Sequence, residues 1–165
     1  MPAITPCLWF DNNLEEAAAF YTSIFPNFSV GDMYKASEAH PGAPGQVLWG
    51  YFVLDGTRFM GINGGPHFQF NEAVSFMVHC KDQAEVDYYW DTLTADGGEE
   101  SQCGWLKDKF GLSWQVVPVG WEDMLASGDT AANQRMMDVM YGMKKLDVAA
   151  LQAAYDGKPV PDTEA

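Results

Sequence analysis

Positive charge is scarce in this sequence: 9 Lys and Arg stand against 23 Asp and Glu in 165 residues, giving a formal net charge of −14. The cations, Lys35, Arg58, Lys81, Lys107, Lys109, Arg135, Lys144, Lys145 and Lys158, are scattered rather than arranged in a stripe. A surface this acidic repels phosphate backbones, which argues against nucleic acid as a partner. Cysteine is scarce as well. Cys7, Cys80 and Cys103 are odd in number, lie in apolar surroundings and show no CxxC or Cys/His spacing, which fits reduced thiols in a reducing compartment. Small buried hydrophobes are the favoured reading of all three; Cys103, followed by Gly104 and Trp105, is the one whose strand could lie open on one face. Long apolar runs are missing. Asp, Glu, Lys, Gly or Pro interrupts every stretch before the roughly 18 to 20 residues a bilayer requires, so no membrane span is expected. The opening MPAITPCLWFDNNLEE has no basic segment ahead of its apolar run, so a cytoplasmic protein without a secretory leader is expected.

What is present is core-forming material. Hydrophobic residues make up 47% of the chain and aromatics 14%, enough to offset the entropy of ordering one domain with a short appendage. Ile4 to Phe10 reads as a strand, and Asp11-Asn12-Asn13 supplies turn and helix-cap chemistry. Leu14, Ala17, Ala18, Tyr21, Ile24 and Phe25 then recur at spacings of three and four, the period of a helix, until Pro26 stops it. Phe28 to Ala36 reads as a strand and Ser37 to Gly45 as a loop containing His40, which receives no role. Gln46 to Asn63 reads as two strands joined by Asp55-Gly56, a strong hairpin signal. Gly64-Gly65-Pro66 closes this unit.

The pattern then restarts. Ala73 to Cys80 is again a strand, Lys81-Asp82 again a cap, and Gln83 to Ala95 again an amphipathic helix. Thr5, Cys7 and Trp9 fall opposite Ser75, Met77 and His79 at an offset of 70, and Phe20-Tyr21 opposite Tyr88-Tyr89 at 68. Gly97-Gly98 ends the helix. Strands around Cys103 to Lys107 and Leu112 to Pro118 follow, turned by Asp108 to Gly111, and the return strand before them must be very short. The reading is therefore α+β, with two tandem βαβββ modules at about residues 3–66 and 73–118 within a domain of residues 1–120. A helical extension is expected over 121–157, with helices at Trp121 to Ser127 and Ala131 to Tyr155, Asp147 capping a final helix that runs to Tyr155. Its Met136, Met137, Met140 and Met143 suggest core packing or a subunit contact ahead of an adaptable binding surface. Residues 158–165 read as an acidic tail.

Two such halves, each opening with strand, acidic turn and an aromatic pair on the helix, resemble the vicinal oxygen chelate superfamily of glyoxalases, extradiol dioxygenases and bleomycin-resistance proteins. The runs ITPCLWFDNNLEEAAAFYTSIFPN, LDGTRFMGINGGPHFQFNEAVSF, EVDYYWDTL and CGWLKDKFGLSWQVVP are similar to its PhnB-like branch, often labelled demethylubiquinone methyltransferase, over roughly residues 3–157. The resemblance implies a glyoxalase-like curled sheet, a homodimer, and a cavity where relatives hold a divalent metal on His and Glu. Registered on this sequence, those ligand positions hold Thr5, Met60, Ser75 and Gln115. These offer no charge, so no metal and no other cofactor is expected. The methyltransferase label would call for a glycine-rich turn opening a helix, and Gly64-Gly65-Pro66 is instead followed by His67-Phe68-Gln69-Phe70, without helical periodicity.

Strand alternation supplies the candidate ligand-binding set: Cys7, Trp9, Arg58, Met60, Ser75, Met77, His79 and Gln115 share the inward parity, joined by Cys103 and Trp105. Such an aromatic and sulfur-rich surface suits a small aromatic or amphipathic ligand, or else simply fills a small barrel. Trp9 and Trp105 are the leading candidates for stacking. His67 is a candidate gate in its loop. Arg58 could hold a carboxylate or pair with a surface acid. No catalytic residue is assigned, and a competing reading makes the protein a lyase, isomerase or dioxygenase with His67, His79 and Gln115 as metal ligands.

Overall fold

In a computed structural model of the chain, which describes residues 4–38 and 44–161, residues 1–70 and 71–165 form two units. His40 lies outside the described residues, as do residues 162–165 of the tail.

The first unit runs β1 (Cys7–Phe10), α1 (Leu14–Ile24), β2 (Phe28–Lys35), β3 (Val47–Leu54) and β4 (Thr57–Asn63). Its sheet has the order β1-β4-β3-β2, with β1 parallel to β4 and the other pairs antiparallel. Asp55 and Gly56 both adopt positive φ, 46° and 77°, the geometry that lets a two-residue turn follow the twist of β3 and β4. At α1, Asn13 makes no side-chain cap; Asn63 from the end of β4 accepts the Leu14 N–H at 2.9 Å and donates to the Val47 carbonyl at 2.9 Å. The helix start is thereby tied to two strands. Leu14, Ala17, Ala18, Tyr21 and Ile24 bury one helix face against Leu8, Phe10, Phe52 and Phe59, which are also buried. Phe52 stacks on Phe28 at 5.3 Å and on Phe59 at 5.2 Å. A Cβ at Gly61 would overlap the Leu14 side chain, so glycine sets how closely α1 approaches the sheet. One expectation shifts: Thr5 precedes β1 and is exposed, outside the strand expected from Ile4. β2 forms as expected and slips register against β3 between Val30 and Met33.

The second unit repeats this order with β5 (Ser75–Cys80), α2 (Gln83–Thr94), β6 (Glu99–Glu100), β7 (Trp105–Lys107) and β8 (Ser113–Pro118), arranged β5-β8-β7-β6. The chain is thus α+β with two βαβββ modules. Asp82 caps α2 by accepting the Glu85 N–H at 3.0 Å, while Glu85 accepts the Lys81 N–H at 2.9 Å. The expected turn before β8 is built on buried Asp108, which accepts from Phe110 N, Leu112 N and the Trp114 indole at 2.9–3.1 Å. β6 has only two residues, as the compressed second half required.

Beyond β8 come α3 (Trp121–Ala126), α4 (Thr130–Met140) and α5 (Val148–Tyr155). The helical stretch expected from Ala131 to Tyr155 is interrupted after Met140, and its final part is a separate helix capped by Asp147, as expected. The carbonyls of Met143 and Lys144 accept the Cys103 and Gly104 N–H groups, each at 2.8 Å, and Gln83 bonds both the Leu146 carbonyl and the Val148 N–H. Those backbone groups are spent on tertiary bonds instead of a helix ladder. Asp147 restarts α5 by accepting the Ala150 N–H at 2.8 Å. Met136, Met140, Met143, Leu146, Ala150 and Leu151 form one buried cluster with Val117, so most of the methionine stripe is internal to this unit. Among the described residues no helix is long and apolar enough to cross a membrane.

Candidate functional site

With α1 covering one face of the first sheet, the other face is left half-exposed, and register fixes its contents in three rows. Tyr34, Trp49, Ile62 and Trp9 lie across the four strands in one row. Tyr51, Met60 and Cys7 form the next, and Val53 with Arg58 the third. Four of the expected residues, Cys7, Trp9, Arg58 and Met60, are therefore brought onto one face. The sequence reasoning missed Tyr34, Trp49 and Tyr51, which contribute most of its aromatic surface.

Each large side chain here is held. Trp49 stacks on Tyr34 with ring centroids 3.7 Å apart and meets Tyr51 edge-on at 5.6 Å. Arg58 lays its guanidinium over the Tyr51 ring, 3.6 Å from the centroid. The Trp9 indole donates to the Gly65 carbonyl at 2.8 Å and packs where a Gly64 side chain would stand. Phe68 then meets Trp9 edge-on at 4.9 Å, and Phe70 meets Phe10 at 5.4 Å. His67 is exposed in this loop, and it is Phe68 that touches Trp9. Cys7 is exposed rather than the small buried hydrophobe expected, because its side chain lies on the open face of β1; partial desolvation there still raises its thiol above its ordinary value, so it stays protonated at neutral pH.

The corresponding face of the second sheet is assembled by the same register. Met77, Gln115 and Trp105 share a row, His79 and Val117 the row beside it, and Ser75, Ser113 and Lys107 the row on the other side. Gln115 donates to the Ser75 hydroxyl at 2.9 Å. Ser113 is fully buried, and its hydroxyl has no hydrogen-bond partner among the described residues. Met77 and His79 are exposed; Trp105 is half-buried. Cys103 departs from expectation. It sits in a turn at φ 59°, ahead of a strand that begins only at Trp105, and its thiol donates to the Met140 carbonyl at 3.7 Å. It packs on the methionine cluster rather than belonging to the strand rows. Cys80 is buried and its thiol is pushed up to about 12 by desolvation, then by Glu85 and Asp82, which makes it inert.

A sequence model of the 3-demethylubiquinone-9 3-methyltransferase family matches residues 2–117. The chain belongs to this PhnB-like family. Among solved structures, the PhnB protein of Bacillus cereus, which carries the same methyltransferase label, is 33% identical and covers 72% of this chain and 100% of its own, with a TM-score of 0.65. PA1353 from Pseudomonas aeruginosa is 19% identical over 72% of this chain and 98% of its own, at TM-score 0.58. The fosfomycin resistance protein FosX from Listeria monocytogenes is 15% identical over 74% of this chain and 97% of its own, at TM-score 0.52, a likeness of fold. No curated protein matches the chain.

The metal that the superfamily implies can be tested against the donors this PhnB-like chain puts at the registered positions. Thr5, Met60, Ser75 and Gln115 provide no carboxylate, imidazole or thiolate, and the Gln115 amide and Ser75 hydroxyl are already bonded to each other. The donor set does not fit a divalent ion. Among the described residues, no three His, Cys, Asp or Glu side chains gather closely enough to hold one. The glycine pair of the family name's supposed cofactor turn has a different use: Gly64 and Gly65 seat the Trp9 ring, and no helix opens from them.

Proposed function

We propose that this PhnB-like protein binds a small aromatic or amphipathic molecule without a metal, and that its N-terminal sheet face is the binding surface. The observation that supports this most is the contrast between the two faces of one sheet. The face under α1 is packed with buried Leu8, Phe10, Phe52 and Phe59, whereas Trp9, Trp49, Tyr51, Met60 and Ile62 remain half-exposed opposite it. Rings left partly bare while pinned by named partners offer large contact area at little entropic cost on binding. Trp105, Gln115 and Met77 make a smaller surface of similar kind on the second sheet. The proposal assigns no reaction. It also places the protein in the cytoplasm, in keeping with three free cysteines, and as a homodimer on family resemblance alone, because most of the methionine stripe is spent inside the second unit.

A thermal-shift screen of aromatic and amphipathic compounds, followed by calorimetry on Trp9→Ala, Trp49→Ala and Trp105→Ala, tests the reading. Ligands found with wild type are expected to lose affinity in the first two variants, with circular dichroism unchanged. Wild-type affinity in all three would show that binding lies elsewhere. The methyltransferase reading makes its own prediction, heat on titration with S-adenosylmethionine; the present proposal expects none at millimolar cofactor.

A further inference from the structure

Most of the cations are already engaged. Lys81, Lys107, Lys144, Lys145 and Lys158 each contact a carboxylate, and Arg135 bonds the carbonyls of Ala154 and Tyr155 at the end of α5. Arg58 and Lys35, both exposed, make no ion pair and no side-chain hydrogen bond among the described residues of a chain with a formal charge of −14, and of the two it is Arg58 that lies on the aromatic face. Its nearest acid in sequence, Asp55, accepts instead from Asn27. Among the described residues its guanidinium lies over the ring of Tyr51, and stacking occupies its flat side while leaving the in-plane N–H donors open to solvent. Those donors form the fork that matches a carboxylate in bidentate fashion.

What lies beside the fork sets the rest of the ligand. The guanidinium sits over Tyr51, in the row with Met60 and Cys7, and the next row, about 7 Å along the strands, holds Ile62 flanked by Trp49 and Trp9. Both indoles are pinned outward, Trp49 against Tyr34 and Trp9 against the Gly65 carbonyl, which leaves half-exposed Ile62 and Met60 as an apolar floor. Resting on the binding reading given above, we propose that the ligand is an aryl carboxylate, its carboxylate forked by Arg58 and its ring on Ile62 between the two indoles. A two-carbon spacer between carboxylate and ring spans the interval. The neighbouring Cys7 thiol is protonated and places no competing anion in the row.

Calorimetry with trans-cinnamate and its neutral counterpart trans-cinnamamide tests this on the intact chain, in wild type, Arg58→Gln and Arg58→Lys. Wild type is expected to prefer the carboxylate by at least about tenfold, Arg58→Gln to lose that preference, and Arg58→Lys to keep only part of it. Equal binding of the two probes to wild type, or a preference that survives Arg58→Gln, overturns the aryl carboxylate assignment and leaves the aromatic binding face standing. Failure of both probes to bind at millimolar concentration overturns the assignment and the binding reading together.

Discussion

Gly64→Ala places one methyl group where the indole of Trp9 already lies, and its effect can be worked through. The new Cβ would overlap Cζ2, Cε2 and Cη2 of that ring, so either the indole or the loop must give way. Restoring an ordinary carbon–carbon separation of about 3.5 Å moves the ring far enough to break the 2.8 Å bond from Nε1 to the Gly65 carbonyl. A hydrogen bond of this kind contributes about 0.5–1.5 kcal/mol, and overpacking costs about 1–3 kcal/mol. The expected loss is therefore roughly 2–4 kcal/mol, or about 5–15 °C in Tm for a chain of this size. Phe68 loses its edge contact with the displaced ring, so intrinsic tryptophan fluorescence should change in parallel. Gly142→Ala is the control, since a Cβ there meets only the Val139 carbonyl, at an ordinary 3.5 Å. Urea denaturation followed by circular dichroism measures both variants, and in a Trp9→Leu background the cost of Gly64→Ala should shrink. A Gly64→Ala protein within about 0.5 kcal/mol of wild type, with unchanged fluorescence, would refute the packing on which the aromatic face depends.

Two further outcomes are expected. Glu100 is held below its ordinary value of 4.5, first by the Trp90 indole N–H and then by Lys144, so its carboxylate form is favoured by folding. That stabilisation is complete above the ordinary value and is lost as pH falls through the lowered native one. Urea midpoints at pH 7 and pH 3 should therefore differ less in Glu100→Gln than in wild type; equal differences would contradict it. Met136 is fully buried at the centre of the C-terminal cluster, so Met136→Ala should cost about 2–5 kcal/mol in the same assay. A loss under about 1 kcal/mol would mean the cluster is not the packed core described.

Much of the fold was written locally. The offset of 70 between Thr5-Cys7-Trp9 and Ser75-Met77-His79 reappears in the register, where Cys7 faces Met60 on β4 and Met77 faces Gln115 on β8. Asp55-Gly56 marked the hairpin, and its geometry held more than was drawn from it. Counting outward from Leu54 opposite Thr57 brings Tyr51 opposite Met60 and Trp49 opposite Ile62, so two missed aromatics were legible from turn length and parity. Tyr34 was not, because the slip between Val30 and Met33 breaks the count on β2. The Asp147 cap marked where the last helix starts, but the turn at Cys103 and the break directly after Met140 were hidden for a different reason. Each depends on carbonyls of residues 143 and 144 bonding backbone some forty positions earlier, and no local pattern records such a bond. The role of Gly64 was likewise tertiary, a space reserved for a ring from β1.

Metal content by mass spectrometry, on protein purified without chelator or affinity metal and dialysed into metal-free buffer, bears most directly on ligand binding by an aromatic face alone. The expected result is zinc, nickel, manganese and iron each well below one equivalent, with no gain in thermal stability when any of them is added back. One equivalent of a single ion, retained through dialysis and raising the melting temperature, would contradict the account.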